Sequence, residues 1–345
     1  MTRRMPYILH ALAAAAAVAL LGQSAAAQNG AQAAKEGQVV WYAAPGATAQ
    51  MAPALDAWSK LHPDININIV AAPGPDGMER IRTEQRSHHV VADLFSQGDI
   101  GTWQAVQGGL YQTFDPASVP NEQKLSPRVK PFLDPGRHVV PMYLMAYGIT
   151  VNRQTVPEAD WPQSWKDVLK PNLANTLGIH NFGVIGGGLS WYMVGREPLG
   201  DAFFKSLVAA KPRVFARAPE AENAVDTGAR GIIVPSALQN YTASNAKNAP
   251  IKFIVPREGL FFVTMYNGVV RDAPHPAAAQ MFLNFLLTAP AQAALARSGD
   301  VPVIDTSISP IDLGKVKFLG SGATTRAQGE RLPDYIKAGQ ILMGQ

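Results

Sequence analysis

Tyr147-Gly148-Ile149-Thr150-Val151-Asn152, close to the middle of a 345-residue chain, reads as a β-strand. Ile149 and Val151 alternate with Thr150 and Asn152, and β-branched residues dominate the run. A Pro-rich polar connection precedes it, and Val156-Pro157 through Trp161-Pro162 breaks the chain after it. On each side lies a block of alternating short strands and amphipathic helices, large enough to bury a core of its own. A strand joining two such blocks predicts a hinge, and the cleft between the blocks predicts a binding site.

At 47% hydrophobic and 16% charged the composition is that of a globular protein, and the length suits two domains better than one. Formal net charge is +4, from 30 Lys and Arg against 26 Asp and Glu. Arg3 and Arg4 belong to a leader; without them 28 basic residues remain and the balance is +2. The basic residues are scattered, so nothing points to nucleic acid or a membrane surface as partner. Residues 1–27 follow the pattern of a cleaved secretory signal. Arg3 and Arg4 supply the positive start, Ala11 to Leu21 the apolar stretch, and Ala25-Ala26-Ala27 the small cleavage residues, so Gln28 is the expected mature N-terminus. The apolar stretch is too short to span a bilayer. Arg3-Arg4 leaves the twin-arginine export route open beside the general one. The absence of cysteine excludes disulfides, thiolate metal sites, cysteine nucleophiles and a lipid anchor on the mature chain. A periplasmic location is expected.

In the first block Val39-Val40-Trp41-Tyr42-Ala43 reads as a buried strand, and Pro45-Gly46 turns the chain into a helix from about Thr48, a candidate N-cap. Ile65, Ile67 and Ile69 alternate with Asn66 and Asn68 in a second strand, and Gly74-Pro75-Asp76-Gly77 opens a second helix. Val90-Val91-Ala92-Asp93-Leu94-Phe95 reads as a third strand, with Gly98-Asp99 opening the third helix. Three such units predict a mostly parallel sheet whose ligands bind at the carboxyl ends of the strands. Helix N-termini there favour an anionic group. Ala44, Gly46, Thr48, Gly77, Gly98 and Asp99 are therefore candidate binding residues, with Pro73 at the start of the second loop.

In the second block Thr176-Leu177-Gly178-Ile179 reads as a strand running into His180-Asn181-Phe182-Gly183-Val184-Ile185-Gly186-Gly187-Gly188 and a helix. Glycine allows close backbone approach to a ligand, so Asn181, Gly186, Gly187 and Gly188 are candidates. Their spacing fits neither the dinucleotide fingerprint nor the P-loop. Ile232-Ile233-Val234 is a further strand, and Ser236 and Gln239 at its turn into a helix are candidates as well.

These stretches together resemble a periplasmic solute-binding protein of an ABC importer, most similar to the ferric-iron-binding branch of the type II class. The resemblance runs in order over nearly the whole mature chain. It rests on the first strand, on Val91 to Phe95 with Gly98-Asp99, and on Tyr147 to Asn152. Further carriers are Pro162-Gln163-Ser164-Trp165-Lys166-Asp167-Val168-Leu169, Pro256-Arg257-Glu258-Gly259 and His275-Pro276-Ala277-Ala278-Ala279 with Phe282 to Leu287. It implies an α/β, two-lobed type II periplasmic binding fold with a central cleft and crossing hinge strands. It further implies a monomer without cofactor that closes on its ligand and docks onto a membrane permease. The expected division is lobe 1 at 28–146, a hinge strand at 147–152, lobe 2 at 153–265, and a return to lobe 1 with C-terminal helices and tail at 266–345. Residues 262–269 are a second candidate crossing.

Ferric-binding relatives carry adjacent tyrosines where this chain has Pro235-Ser236-Ala237, and the nearest tyrosine, Tyr241, stands alone. Phenolate oxygens are what ferric iron needs, so iron through the family's usual ligands is not expected. Sister branches use glycine, serine and threonine at helix starts to hold organic phosphates, phosphonates or carboxylates. The expected ligand is an oxyanion-bearing small solute, with Arg80 or Arg217 as a possible charge partner. An exported enzyme is the rival class, with Asp93 and Asp99 as an acid–base pair, but no nucleophile elbow or metalloprotease helix is present. A protein feeding a sensor kinase instead of a permease fits the same residues.

Overall fold

A computed structural model describes residues 29–72, 74–306, 308–312 and 314–345. The expected leader, its cleavage point at Gln28 and the loop residue Pro73 lie outside the described residues. None of the described helices is long and apolar enough to cross a membrane.

After a helical stretch over residues 29–36 come β1 (Gln38–Ala43), α1 (Ala47–Leu61), β2 (Asn66–Ala71), α2 (Gly74–Arg86), β3 (Leu94–Gly98) and α3 (Asp99–Gln107). The long β4 (Val140–Asn152) leads to β5 (Leu177–His180), α4 (Gly187–Leu199), α5 (Asp201–Ala209), β6 (Arg213–Phe215) and α6 (Ala218–Asp226). Then come β7 (Ile232–Ala237), α7 (Leu238–Ala246), β8 (Ile251–Ile254) and β9 (Phe261–Val269). The chain ends with α8 (Pro276–Leu286), α9 (Ala289–Arg297), β10 (Val301–Pro302), α10 (Arg326–Glu330) and α11 (Leu332–Met343).

Strand order is β2-β1-β3-β9-β4-β7-β5-β6. The first lobe's β1, β2 and β3 are parallel, as repeated strand–helix units require. β9 runs antiparallel between β3 and β4, so a strand that follows the second block completes the sheet of the first. In the second lobe β7, β5 and β6 are again parallel.

β4 carries the crossing. Its residues from Val140 to Tyr147 pair with β9, and from Ile149 to Asn152 the partner becomes β8. β7 lies along the opposite edge, from Tyr147↔Ala237 to Val151↔Ile232, with an irregularity between Gly148 and Thr150. A Cβ at Gly148 would stand 2.6 Å from the Ile254 carbonyl oxygen, so glycine lets β8 close in where the register shifts.

Two cores lie on either side of this strand. Trp58 anchors the first, its ring edge-on to Phe282 and Phe285 at 5.0 and 5.2 Å. Trp191 anchors the second, against Trp165 at 4.9 Å and Phe204 at 5.2 Å. Met145 of β4 and Met265 of β9 pack against both cores, as residues at a junction would. Trp41, Trp58, Trp103, Trp165 and Trp191 are all fully buried, which assigns them to packing.

Two local expectations need correction. The third strand begins at Leu94, four residues later than its apolar run, because the Asp93 carboxylate is drawn into bonds with Val40 N (2.7 Å) and His275 N (2.8 Å). The first helix is capped by Gly46 in the left-handed conformation (φ 90°), not by Thr48, whose position is already inside the helix. The C-terminal α11 packs on α4 and α5 of the second lobe, while α10 lies on α3 of the first.

Candidate functional site: the cleft between the lobes

Five helices start at the mouth of the cleft, and each follows a strand end. From the first lobe come α2 at Gly74 and α3 at Asp99; from the second come α4 at Gly187, α6 at Ala218 and α7 at Leu238. Free N–H groups at such ends and the aligned peptide dipoles give the cleft a positive lining without a basic side chain.

Local sequence holds these turns in place. The Gln97 amide donates to the Gly74 carbonyl at 2.8 Å, tying the α2 start to β3. Asn181 Oδ1 accepts from Gly183 N at 2.7 Å, which folds the loop after β5 back on itself. At Gly187 the backbone lies against Tyr147: an added Cβ would stand 2.8 Å from its Cε1. At Gly188 an added Cβ would stand 2.8 Å from His180 Cβ. Any side chain at these two positions would push α4 away from the cleft wall.

Two cavities of about 140 Å³ each meet at Tyr147, Ile185, Gly186 and Gly187. The first lies between the lobes, with Met78, Ile100 and Val263 as apolar lining and Asp99 and Ser190 among its polar groups. The second belongs to the second lobe, where His180, Asn181, Glu222 and Asn240 face it. Among the described residues no lysine or arginine lines either cavity.

Three polar side chains at these cavities are at least nine-tenths buried and make no hydrogen bond to another described residue. They are the Tyr147 hydroxyl (9% exposed), the His180 ring (8%) and the Ser190 hydroxyl (2%). None of their polar atoms is sealed from solvent without a partner, so these groups open onto the cleft, where a ligand or water can pair with them.

The buried carboxyls behave differently. Asp99 accepts from Ile100 N at 2.8 Å and Thr324 N at 3.0 Å, yet burial pushes its pKa up to about 7. Glu222 accepts from Asn240 Nδ2 at 3.1 Å and Ser236 Oγ at 3.5 Å, and burial pushes it up to about 7 as well. Burial lowers His180 to about 4, so its ring is neutral at pH 7, with one nitrogen to donate and one to accept.

The expected binding residues divide. Gly98, Asp99, Gly186 and Gly187 line the cavity between the lobes, and Asn181, Gly186, Gly187 and Gly188 line the other. Gly77 lies outside both; it is a packing glycine, since a Cβ would stand 2.7 Å from the Phe95 ring. Ala44, Gly46 and Thr48 are exposed on the first lobe and line neither cavity. Ser236 is fully buried in β7, where it accepts from Thr150 Oγ1 at 2.8 Å, and Gln239 stands beside Gly299. Arg80 pairs with Glu84 at 3.2 Å and covers the Tyr42 ring, and Arg217 is exposed. Asp93 and Asp99 both spend their oxygens on backbone amides, which leaves no acid–base pair between them. Among the described residues no three His, Asp or Glu side chains gather as a metal site would need.

Residues 92–318 match the family described as bacterial extracellular solute-binding protein. The fold is similar to the periplasmic binding protein AfuA from Actinobacillus pleuropneumoniae, solved with fructose-6-phosphate bound. That match has a TM-score of 0.70 at 17% identity over 89% of this chain and 98% of that one. Iron-bound HitA from Pseudomonas aeruginosa matches with a TM-score of 0.69 at 15% identity, over 88% and 99% of the two chains. The Atu4243-GABA receptor matches with a TM-score of 0.70 at 16% identity, over 89% and 97%. At such identities the likeness is one of fold, and that fold is the two-lobed one. The chain belongs to the bacterial extracellular solute-binding protein family.

Proposed function

We propose that this protein captures a small oxyanion-bearing solute in the periplasm and presents it to a membrane permease. It works as a binding protein and not as an enzyme. The observation that carries the proposal is the set of unpartnered, buried Tyr147, His180 and Ser190 side chains under converging helix starts. Backbone N–H groups and hydroxyls suit a carboxylate, phosphonate or phosphate, and the solutes named for similar folds include a sugar phosphate and an amino acid. Lobe 1 (28–146) with the chain's return from 266, and lobe 2 (153–265) with the C-terminal α11 on its surface, rotate about 147–152 and the crossing strand β9. The N-terminal segment 1–27 directs export and is removed.

A thermal-shift screen of the purified protein tests the ligand class, because a ligand bound only by the native state raises the melting temperature by mass action. The panel is phosphates, phosphonates, carboxylates, polyols and ferric citrate. Stabilisation by one of the oxyanions is expected. Stabilisation by polyols alone, or by ferric ion with a tyrosinate charge-transfer colour, would overturn it.

A further inference from the structure

The two cavities differ in chemistry, and one ligand lying across their shared edge would meet both. The cavity in the second lobe is polar. Glu222 faces it with a carboxyl group that only Asn240 and, at 3.5 Å, Ser236 engage, and the His180 ring beside it has no partner. The cavity between the lobes is walled by Met78, Ile100, Ile185 and Val263. Its remaining polar side chains are either committed within the protein, as Asp99 and Gln97 are, or are the unpartnered Tyr147 and Ser190 hydroxyls and Gln104. Gly186 and Gly187 open α4 where the two cavities join.

Among the described residues an anion seated at the α4 start would have no lysine or arginine beside it; His180 and Tyr147 lie against that start, and the one carboxyl of the polar cavity is Glu222. A dianionic phosphate would therefore sit close to Glu222 without a counter-charge. A carboxylate needs only N–H groups, and an ammonium on the same molecule would give Glu222 a charged donor beside the neutral Asn240 and Ser236. The unpartnered His180 and Ser190 side chains mark these as ligand-facing positions and distinguish them from a bare helix end.

We infer that the solute is an amino acid with an apolar side chain: its carboxylate meets the N–H groups at Gly186–Gly188, its ammonium meets Glu222, and its side chain fills the cavity between the lobes. This rests on the oxyanion proposal and narrows it. Each cavity is about the size that holds a benzene-sized molecule, which suits a leucine, methionine or phenylalanine side chain.

Isothermal titration of the purified protein with a matched series tests it: L-leucine, L-methionine and L-phenylalanine, the des-amino acid 4-methylpentanoate, the decarboxylated 3-methylbutylamine, and glycine. At least one of the three amino acids should bind roughly tenfold or more tighter than every single-feature analogue, the scale of one charge-assisted hydrogen bond. In Glu222→Gln that amino acid should lose its advantage over 4-methylpentanoate. The wild-type series stands alone as a test if the variant fails to fold. Equal affinity for L-leucine and 4-methylpentanoate would overturn the inference, as would binding of phosphate esters or plain carboxylates but no amino acid; the oxyanion proposal survives either result. No binding by any carboxylate or phosphate, with polyol or ferric binding instead, would remove both.

Discussion

Gly187 stands with its Cα against the ring of Tyr147, leaving no room for a side chain, and that ring is stacked on Phe261 at 4.7 Å. One wall of the cleft is therefore fixed by a strand that crosses between the lobes, and the other by a helix start that can reach it only as glycine. The contact couples the crossing strand to the second lobe directly at the site.

Gly187→Ala should cost about 1–3 kcal/mol, because the stacked Tyr147 ring cannot swing aside cheaply. Solute affinity should fall with it, since α4 must retreat from the cleft. Urea unfolding and solute titration of the variant check both, and unchanged values would place the helix start away from the ring.

Buried carboxyls predict a pH signature. Glu222 has a pKa of about 7 in the fold against an ordinary 4.5, and Asp99 about 7 against 3.8. The unfolded carboxyls ionise first, so each contribution is whole below about pH 4 and is lost as pH rises towards 7. His180 acts in the opposite sense: at about 4 in the fold against 6.5, it adds stability as pH rises through that interval. The difference between Glu222→Gln and wild type isolates one group. It should move in favour of the variant by on the order of a few kcal/mol between pH 4.5 and 8. Chemical denaturation at several pH values measures it, and a constant difference would contradict a buried, protonatable Glu222.

Two buried tryptophans should respond unequally to loss of the indole N–H. Trp41 Nε1 donates to Ser96 Oγ at 2.6 Å and Asn267 Oδ1 at 3.1 Å, whereas Trp191 Nε1 has no partner. Trp41→Phe takes one donor from each of two buried oxygens, which keep only the Ser96 Oγ to Asn267 Oδ1 bond at 2.6 Å; Trp191→Phe removes an unsatisfied donor. The first should therefore cost about 1–2 kcal/mol more than the second at similar volume loss. Equal destabilisation in urea would show that packing alone governs both.

The C-terminal α11 should behave as part of the second lobe. Gly339 lies on the Phe182 backbone, where an added Cβ would stand 2.6 Å from the carbonyl carbon. Gly339→Val should destabilise by about 1–3 kcal/mol or more. Hydrogen exchange should rise in α4 and α5 ahead of α1 and α8; uniform protection loss would deny that local role.

Much of this architecture was legible in the linear chain. Alternation in Ile149-Thr150-Val151 marks the crossing strand, and the glycines at 186–188 mark a helix start that a side chain would block. The two ends of the site show the limit. Glu222 sits on the second turn of a helix whose pattern gives no hint of which face meets the cleft. His180 looks like the last residue of a strand. Ser236 has a ligand-like position in the sequence, yet strand pairing opposite Gly148 turns its hydroxyl towards Thr150. Direction within a tertiary frame, and not residue type, decides these three. The choice of Gly46 over Thr48 as the cap, and the bonds that draw Asp93 out of its strand, depend on the same frame.

Small-angle scattering, with and without a saturating solute chosen by its thermal stabilisation, tests most directly whether the lobes grip their cargo between them. The radius of gyration should decrease as the lobes rotate about β4 and β9. An unchanged radius with the site demonstrably full would contradict capture by closure.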